Sequence, residues 1–265
     1  MRVLRKYLLV ALLSARSNVV YLSEVVGRLL FLGVILYIFS RLWIAVYSHA
    51  GSHQVADLSI VQMIWYLVAT EAMMLSGPRV SAAVDLDVRS GTIVNYLQRP
   101  LSYPLYCLSH NLGERTVRFF INLLVGSIIA YVLVGPLALS WNSVAFFLLA
   151  LPLAFAVDFL SGFLIGLGAF WFEDTSGMNL IYSRMTMIFG GMLFPLSIFP
   201  DNVRPVLEWL PFSAVVYGPA KLFVSPSVGE FLSILARQSL AAVVFAILVY
   251  WIYGRASKRV FVNGG

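Results

Sequence analysis

The chain has 265 residues, of which 60% are hydrophobic and only 11% are charged. Soluble globular domains carry about 25% charged residues, so this composition argues against a soluble enzyme and predicts a polytopic membrane protein. The net charge of +6 does not indicate nucleic-acid binding. The basic residues fall between apolar stretches, where membrane topology and anionic lipid headgroups explain them.

The N-terminal sequence MRVLRKYLLVALLSARS combines a basic start with a short apolar stretch. Its apolar residues recur at helical spacing, namely Leu4, Leu8, Ala11, Leu12 and Ala15. This pattern predicts an amphipathic helix that lies in the inner membrane interface and is retained in the mature protein. A signal peptide cleaved near Ser14 and Ala15 is the less favoured alternative.

Six stretches are long and apolar enough to cross a bilayer, which takes roughly 20 residues per helix. They cover about residues 25–47, 58–76, 117–134, 144–171, 180–199 and 231–253. Barrel-like alternation of apolar and polar residues does not compete with this pattern. The sequence therefore predicts an all-α protein with six transmembrane helices in one membrane domain, residues 1–265.

The basic residues orient these spans. With the N-terminus inside, all but four of the 18 Lys and Arg residues flank the inner ends of spans. The outer four are Arg41, Arg204, Lys221 and Arg237. Such a bias predicts a cell-membrane protein with both termini in the cytoplasm.

Two regions between spans have enough length to form structure of their own. The inner region covers residues 77–116, and the outer region covers residues 200–230. The outer one contains Pro200, Pro205, Pro211, Pro219 and Pro226 and remains fairly apolar. This composition predicts short re-entrant helices folded back into the outer leaflet, where an irregular backbone is tolerated if protein buries it.

Motifs for catalysis or cofactor binding are absent from the sequence. It has no G-x-x-x-x-G-K-[ST] phosphate loop, no H-E-x-x-H, no C-x-x-C and no G-x-S-x-G. His49 and His53 lie near Asp57, but ordinary exposed histidines explain them better than a metal site. We therefore expect no catalytic, cofactor-binding or metal-binding residues, and no enzymatic activity in this chain.

Acidic residues inside predicted spans are costly and usually have a partner. Glu71 lies in the second span and Asp158 near the middle of the fourth. Each could line a substrate path or relay protons, or could be a buried hydrogen-bonded or neutral acid. Gly162 and Gly166 form a small-xxx-small pair, which fits packing within the chain or a subunit seam equally well.

The basic segment from Gly91 to Phe119 contains a predicted short helix. Thr92 is placed to cap it, and Pro100 and Pro104 are expected to end it. Its apolar side would consist of Ile93, Val94, Tyr96 and Leu97. Such a helix fits docking to a soluble partner and resting on lipid equally well.

Two passages resemble those of a known family. GTIVNYLQRPLSYPLYCLSHNLGER resembles the segment after the second span of type-2 ABC exporter permeases, where a coupling helix begins. GGMLFPLSIFPDNVRPVLEWLPFSAVVYGPAKLF is similar to that family's fifth span and outer re-entrant helices. Their order and sidedness extend the resemblance over nearly the whole chain.

The resemblance implies a permease that forms a dimer with an identical or related permease. It also implies docking on a separate ATP-binding-cassette ATPase, which would hold ATP and Mg. The coupling residues would be Gly91, Thr92, Ile93, Tyr96, Leu97, Arg99 and Pro100. The translocation path would include Glu71, Met187, Phe189 and Met192, with Asp158 less well placed. Family cargoes are polysaccharides, lipids, drugs and peptides, which implies export of an amphipathic substrate.

Two other classes of function compete with this one. An ion-coupled secondary transporter would use Glu71 or Asp158 as its coupling acid, but the inverted repeats typical of that class are not visible. An intramembrane enzyme or assembly subunit is the third hypothesis. The enzyme would need a nucleophile–base pair or a metal constellation inside the spans, and the sequence offers none.

Overall fold

The computed structural model describes residues 2–17, 22–50 and 54–263, and its regular elements are helices. The α-helices are α1 (Arg2–Ser17), α2 (Leu22–Ala50), α3 (Ile60–Ser76), α4 (Val80–Arg89), α5 (Ile93–Leu97), α6 (Tyr103–Val134), α7 (Trp141–Leu167), α8 (Ser176–Phe189), α9 (Arg204–Trp209), α10 (Pro211–Val215), α11 (Tyr217–Val224) and α12 (Val228–Asn263). Two 3₁₀ turns occupy Gly168–Phe170 and Leu196–Ile198. No β-strand occurs in these ranges, which confirms the predicted all-α class.

Five helical stretches in the described ranges are long and apolar enough to cross a membrane. They are Glu24–His49, Ile60–Arg89, Tyr103–Val134, Trp141–Phe170 and Val228–Lys258. They overlap the first four predicted spans and the sixth, although the second and third stretches are longer than predicted. The protein is therefore a multi-pass membrane protein.

The fifth predicted span, residues 180–199, is not one continuous helix. The helix α8 ends at Phe189, ten residues before the predicted boundary, and its 14 residues reach only about 21 Å. Gly191 follows with φ +71°, a left-handed conformation in which a Cβ would lie 3.0 Å from the Tyr66 hydroxyl. A count of six helical spans is therefore not confirmed.

The third span begins earlier than predicted. The helix α6 starts at Tyr103 rather than near residue 117, with Pro104 in its first turn. Proline is tolerated there because the first amides of a helix have no intrahelical acceptor. The prediction that Pro104 ends the preceding helix is therefore wrong, and much of the inner region 77–116 is helical as α4 and α6.

The centre of the bundle is α3, which is buried without interruption from Met63 to Met73. It packs antiparallel against α6, since Val68 lies against Gly126 and the Trp65 indole donates to the Gly135 carbonyl at 3.1 Å. A Cβ on Gly126 would lie 3.0 Å from Val68, so glycine permits this close approach.

Glycines of α7 also allow α4 to pack closely against α7. A Cβ on Gly162 would lie 3.5 Å from the Val80 side chain, and one on Gly166 would lie 2.7 Å from the Val84 side chain. The small-xxx-small pair Gly162 and Gly166 therefore packs within the chain, which decides between the two uses that the sequence left open.

The short helices α9–α11 lie at the end of the bundle where α3 begins. The Gln62 side chain donates to the Val224 carbonyl at 3.1 Å, and the Ser197 hydroxyl donates to the Ala56 carbonyl at 2.9 Å. Most of α10 and α11 is buried. The helix α1 packs on α6 near the opposite end, where the Ser14 hydroxyl donates to the His110 carbonyl at 2.9 Å.

Candidate coupling segment and buried polar clusters

The helix α5 is a single turn between α4 and α6, and a tight bend precedes it. Gly91 has φ +72°, a conformation that favours glycine, and the Ser90 and Thr92 hydroxyls are 2.8 Å apart. Thr92 does not cap the helix through its side chain. Thr92 does occupy the predicted N-cap position, directly after the bend at Gly91.

One side of α5 packs against the protein itself. Ile93 is 2% exposed and belongs to a buried apolar cluster with Val84. The Tyr96 ring packs against the Tyr103 and Tyr106 rings, with centroids 5.3 and 5.0 Å away. Burial, aided by the Tyr106 hydroxyl, raises the pKa of Tyr96 to about 12. Of the predicted coupling residues, Ile93 and Tyr96 thus face inward.

The other side of α5 faces out. Val94, Gln98 and Arg99 are exposed, and Leu97 is half-buried. The Arg99 guanidinium lies 5.7 Å from the Tyr96 ring centroid. Gly91 and Pro100 are also exposed, while Thr92 is half-buried. We use the name outer face of α5 for two residues of the helix and the two that follow its end: Val94, Leu97, Gln98 and Arg99.

The helix α1 fixes the segment after α5. The Lys6 ammonium donates to the Pro100 carbonyl at 2.5 Å, and the Ser102 amide donates to the Tyr7 hydroxyl at 3.0 Å. These contacts join residues more than 90 positions apart in the sequence. A displacement of α5 would therefore shift the linking segment and, through it, both α1 and α6.

Ion pairs connect the end of α4 to the start of α8. Arg89 pairs with Asp85 at 2.8 Å and with Asp174 at 3.1 Å, and the Thr175 hydroxyl donates to Asp85 at 2.7 Å. The hydroxyl and amide of Ser176 hold the pKa of Asp174 below its usual range, and Arg89 adds to the effect.

A buried ion pair joins α6 to α7. Arg115, whose side chain is 1% exposed, donates to Asp158 Oδ2 at 2.6 Å. The Tyr182 hydroxyl of α8 donates to Asp158 Oδ1 at 3.2 Å, and the Arg115 guanidinium lies 4.1 Å from the Phe155 ring centroid. Asp158 is thus a hydrogen-bonded acid with a cationic partner, one of the two states that the sequence left open.

The ion pair of Arg115 and Asp158 borders a cavity of about 180 Å³. The break between α3 and α4 lies on its wall, and the lining residues include Gly77, Pro78, Arg115, Asp158, Asn179 and Tyr182. The helices α6, α7 and α8 and the non-helical link between α3 and α4 therefore meet at one polar cluster. The sequence pattern shows Arg115 only as one of the basic residues near the inner ends of spans, and its pairing with Asp158 was not predicted.

Glu71 is fully buried in α3, and neither carboxyl oxygen has a hydrogen-bond partner within the described ranges. Asn122 of α6 is fully buried too, and its amide atoms also have no partner there. The contact of Val68 with Gly126 sets the register of the antiparallel helices α3 and α6. Glu71 is one turn after Val68 and Asn122 is one turn before Gly126, so the two residues lie at the same level along the helix pair. Unpaired buried polar groups of this kind are rare and costly.

The predicted path residues Met187, Phe189 and Met192 lie at the end of α8 and just beyond it. All three are half-buried. The Thr70 hydroxyl, next to Glu71, donates to the Met192 carbonyl at 3.1 Å. The structure therefore brings Met192 to the same stretch of α3 as Glu71, whereas Asp158 belongs to the separate cluster with Arg115.

A further charged cluster ties α9 to α12. Glu208 pairs with Arg204 at 3.0 Å and with Arg237 at 2.9 Å. Burial alone would raise the pKa of Glu208, but the two guanidinium groups outweigh it and lower the pKa. Arg237, counted in the sequence only as an outer basic residue, therefore pairs with a carboxylate of the protein itself.

One protein family matches most of the chain. A profile of the ABC-2 family transporter protein matches residues 22–264. The chain belongs to this family. The match extends from α2 to α12, and it confirms the resemblance to type-2 ABC permeases. No curated protein matches the sequence.

Membership of the ABC-2 family makes the chain a permease subunit of an ABC transporter and implies association with an ABC ATPase subunit. Within the described ranges, no group of three or more His, Cys, Asp or Glu side chains could hold a metal ion. His53, half of the weak histidine pair near Asp57, lies outside the described residues.

Proposed function

We propose that this ABC-2 permease docks on its ATPase through the outer face of α5, which acts as the coupling helix. The observation that carries the proposal is the division of α5 into two sides: Ile93 and Tyr96 anchor it, while Val94, Gln98 and Arg99 are exposed. A soluble partner would contact the exposed side without disturbing the buried one. The chain itself would hydrolyse no ATP; ATP and Mg would be held by the partner.

The membrane arrangement follows from the spans and the charges. The five long helices and a sixth crossing, made by α8 with residues 190–199, would place both termini in the cytoplasm. A crossing with a non-helical half is tolerated where protein covers it, and the buried Gly191 carbonyl accepts from the Tyr66 hydroxyl. The helices α9–α11 would form the outer re-entrant segment, and α1 would lie in the inner interface.

The coupling path would run from α5 to the break between α3 and α4. ATP binding would draw two α5 helices together in a permease dimer, and α4 would move with α5. The glycine seam on α7 would carry this motion into the fourth span, since Val84 packs directly on Gly166. The nucleotide must bind one of the two states more tightly, because otherwise it could not shift their equilibrium.

The exported substrate would pass between two permeases, along α3 and the end of α8. Glu71, Met187, Phe189 and Met192 are the candidate path residues; their mixed apolar and polar character suits an amphipathic lipid, polysaccharide or drug-like molecule. Asp158 is a weaker candidate, because Arg115 and Tyr182 already occupy its carboxyl oxygens.

An ion-coupled secondary transporter is the second candidate function, and one observation favours it. Glu71 is a fully buried acid without a partner in the described ranges, as expected of a group that binds and releases a proton. Transport by this mechanism would require an ion gradient and no ATPase. Glu71→Gln would abolish it, while an ATP-driven permease would keep its dependence on ATP.

Affinity purification of the tagged protein in mild detergent tests the proposal. We expect a stoichiometric ABC ATPase to co-purify with the wild type and to be lost from the double variant V94D/R99E. The control R16E reverses the charge of an exposed arginine on α1, as R99E does after α5, and should retain the ATPase. Retention of the ATPase by V94D/R99E would refute docking through the outer face of α5.

A further inference from the structure

A cavity of about 860 Å³ lies between α2, α3, α4 and α6. This falls within the range of roughly 300–1,000 Å³ that is typical of small-molecule sites. Its wall includes charged residues of both signs: Glu24, Arg28, Arg79, Asp87, Glu114 and Arg118. The proposed coupling contacts do not use these groups, so the cavity requires a separate explanation.

The acids of this cavity already have partners. Arg118 pairs with Glu114 and lies 3.7 Å from Glu24. Asp87 accepts a hydrogen bond from the Tyr103 hydroxyl at 2.8 Å. Binding within the cavity would therefore not need to neutralise these carboxylates.

Two of the cavity's guanidinium groups are not paired in this way. Neither Arg28 nor Arg79 makes an ion pair with a carboxylate of the described ranges, and the buried Arg28 Nε has no hydrogen-bond partner there. A guanidinium offers planar, forked donors that match phosphate oxygens. The donors left available in the cavity are thus suited to an anion.

Asn111 supplies an independent observation. It lines the same cavity and is 3% exposed, yet neither its amide nitrogen nor its amide oxygen has a partner within the described ranges. Buried side-chain polar atoms are nearly always hydrogen-bonded. The missing partner of Asn111 is therefore expected to come from the contents of the cavity.

We propose that this cavity binds a phosphodiester, with Arg28 and Arg79 on its charged oxygens and Asn111 on an oxygen or hydroxyl beside them. The three acids and three arginines of the wall cancel in net charge, so a singly charged phosphodiester suits the site better than a polyanion. Phospholipid headgroups of the inner leaflet and soluble glycerophosphodiesters share this chemistry. Binding does not depend on the transport cycle proposed above.

Native mass spectrometry of the permease purified in a maltoside detergent tests the site. The probes are phosphatidylglycerol, glycerophosphoglycerol as the soluble source, and dioleoylglycerol as a lipid without phosphate. We expect saturable binding of a phosphodiester probe and none of dioleoylglycerol. Binding of phosphatidylglycerol alone assigns the site to membrane lipid, whereas binding of glycerophosphoglycerol assigns it to soluble ligands as well.

Three variants and one control locate the binding. R28Q, R79Q and N111D should each weaken it about tenfold or more, since each loses or repels a charge-assisted contact. R79Q alters an exposed side chain, so its folding risk is small. The control R16Q removes an exposed arginine of α1 that does not line the cavity and should leave binding within about twofold. Equal losses in R16Q and R28Q, binding of dioleoylglycerol, or no saturable binding would overturn the proposal.

Discussion

Removal of one charge from the buried pair of Arg115 and Asp158 should destabilise the permease strongly. In Asp158→Asn the guanidinium of Arg115 would remain 1% exposed, and the carboxylate that balances its charge at 2.6 Å would be replaced by a neutral amide. Breaking a buried ion pair on one side costs about 3–5 kcal/mol. Asp158 is 25% exposed, so we expect a loss of about 3 kcal/mol, at the low end of that range.

The assay is thermal unfolding of the purified protein in detergent. The midpoint is measured from the increase in the accessibility of buried groups on heating. At roughly 2–4 °C per kcal/mol for a chain of this size class, D158N should lower the midpoint by about 6–12 °C. The control D174N breaks an ion pair whose acid is 63% exposed, and it should leave the unfolding midpoint close to that of the wild type.

A double variant separates the charge from the packing. R115M/D158N removes both charges, and it should recover most of the stability lost in D158N, because no uncompensated charge remains buried. The reasoning would be refuted if D158N stayed within about 1 kcal/mol of the wild type. A double variant less stable than D158N would refute it equally, since packing of Arg115 on Phe155 would then dominate.

The remaining predictions concern the α4 seam, the α9 ion pairs and Glu71. Gly166→Val should lower the free energy of unfolding by about 1–3 kcal/mol, because the new Cβ would lie 2.7 Å from the Val84 side chain. Gly27→Ala serves as the control, because its Cβ meets nothing within 4 Å. Equal unfolding midpoints in the two variants would contradict this prediction. The lowered pKa of Glu208 contributes stability that is present above its ordinary value of 4.5 and lost as the pH falls through the folded-state pKa, so the wild type should lose more stability on acidification than E208Q. Parallel pH profiles would show that the pair with Arg237 is not stabilising. Glu71→Gln should leave the transport that remains in proteoliposomes dependent on ATP, because a path residue changes only the rate or the substrate preference; loss of all transport in this variant, with wild-type transport driven by a proton gradient, would favour the ion-coupled alternative.

The long spans could be predicted from hydropathy because their residues are apolar around the whole helix. The stretches that contain α2, α7 and α12 were found with their approximate ends for this reason. The interruption after Phe189 was missed, because residues 190–199 are as apolar as the helix before them. What ends α8 is the left-handed backbone at Gly191 and its contact with Tyr66, which a composition count does not contain.

Two errors at the site have local physical causes. Pro104 was expected to end a helix, but proline is equally suited to a first turn, and only the start of α6 at Tyr103 decides between these positions. Arg115 was counted among the inner charges because it seemed to precede the third span. Once α6 begins at Tyr103, Arg115 lies inside the bundle, and its partner Asp158 is 43 residues away in the sequence.

The coupling segment was predictable in position but not in its two sides. The sequence placed a short helix near residues 93–97, and the structure has α5 at Ile93–Leu97. Which residues face out depends on the aromatic packing of Tyr96 against Tyr103 and Tyr106, contacts that form only when α6 folds beside α5. Whether the outer face of α5 binds the ATPase stays a prediction.

Photo-crosslinking from α5 tests the central claim most directly. A photoreactive amino acid would replace Arg99, which is exposed just after α5. In a separate control variant it would replace Val132, which is 78% exposed near the end of α6 that lies far from α5. Irradiation of membranes should join the permease to an ABC ATPase from position 99 and not from position 132, with a yield that changes when ATP is added. Absence of an ATPase adduct at position 99, or equal adducts from both positions, would contradict the assignment of α5 as the coupling helix.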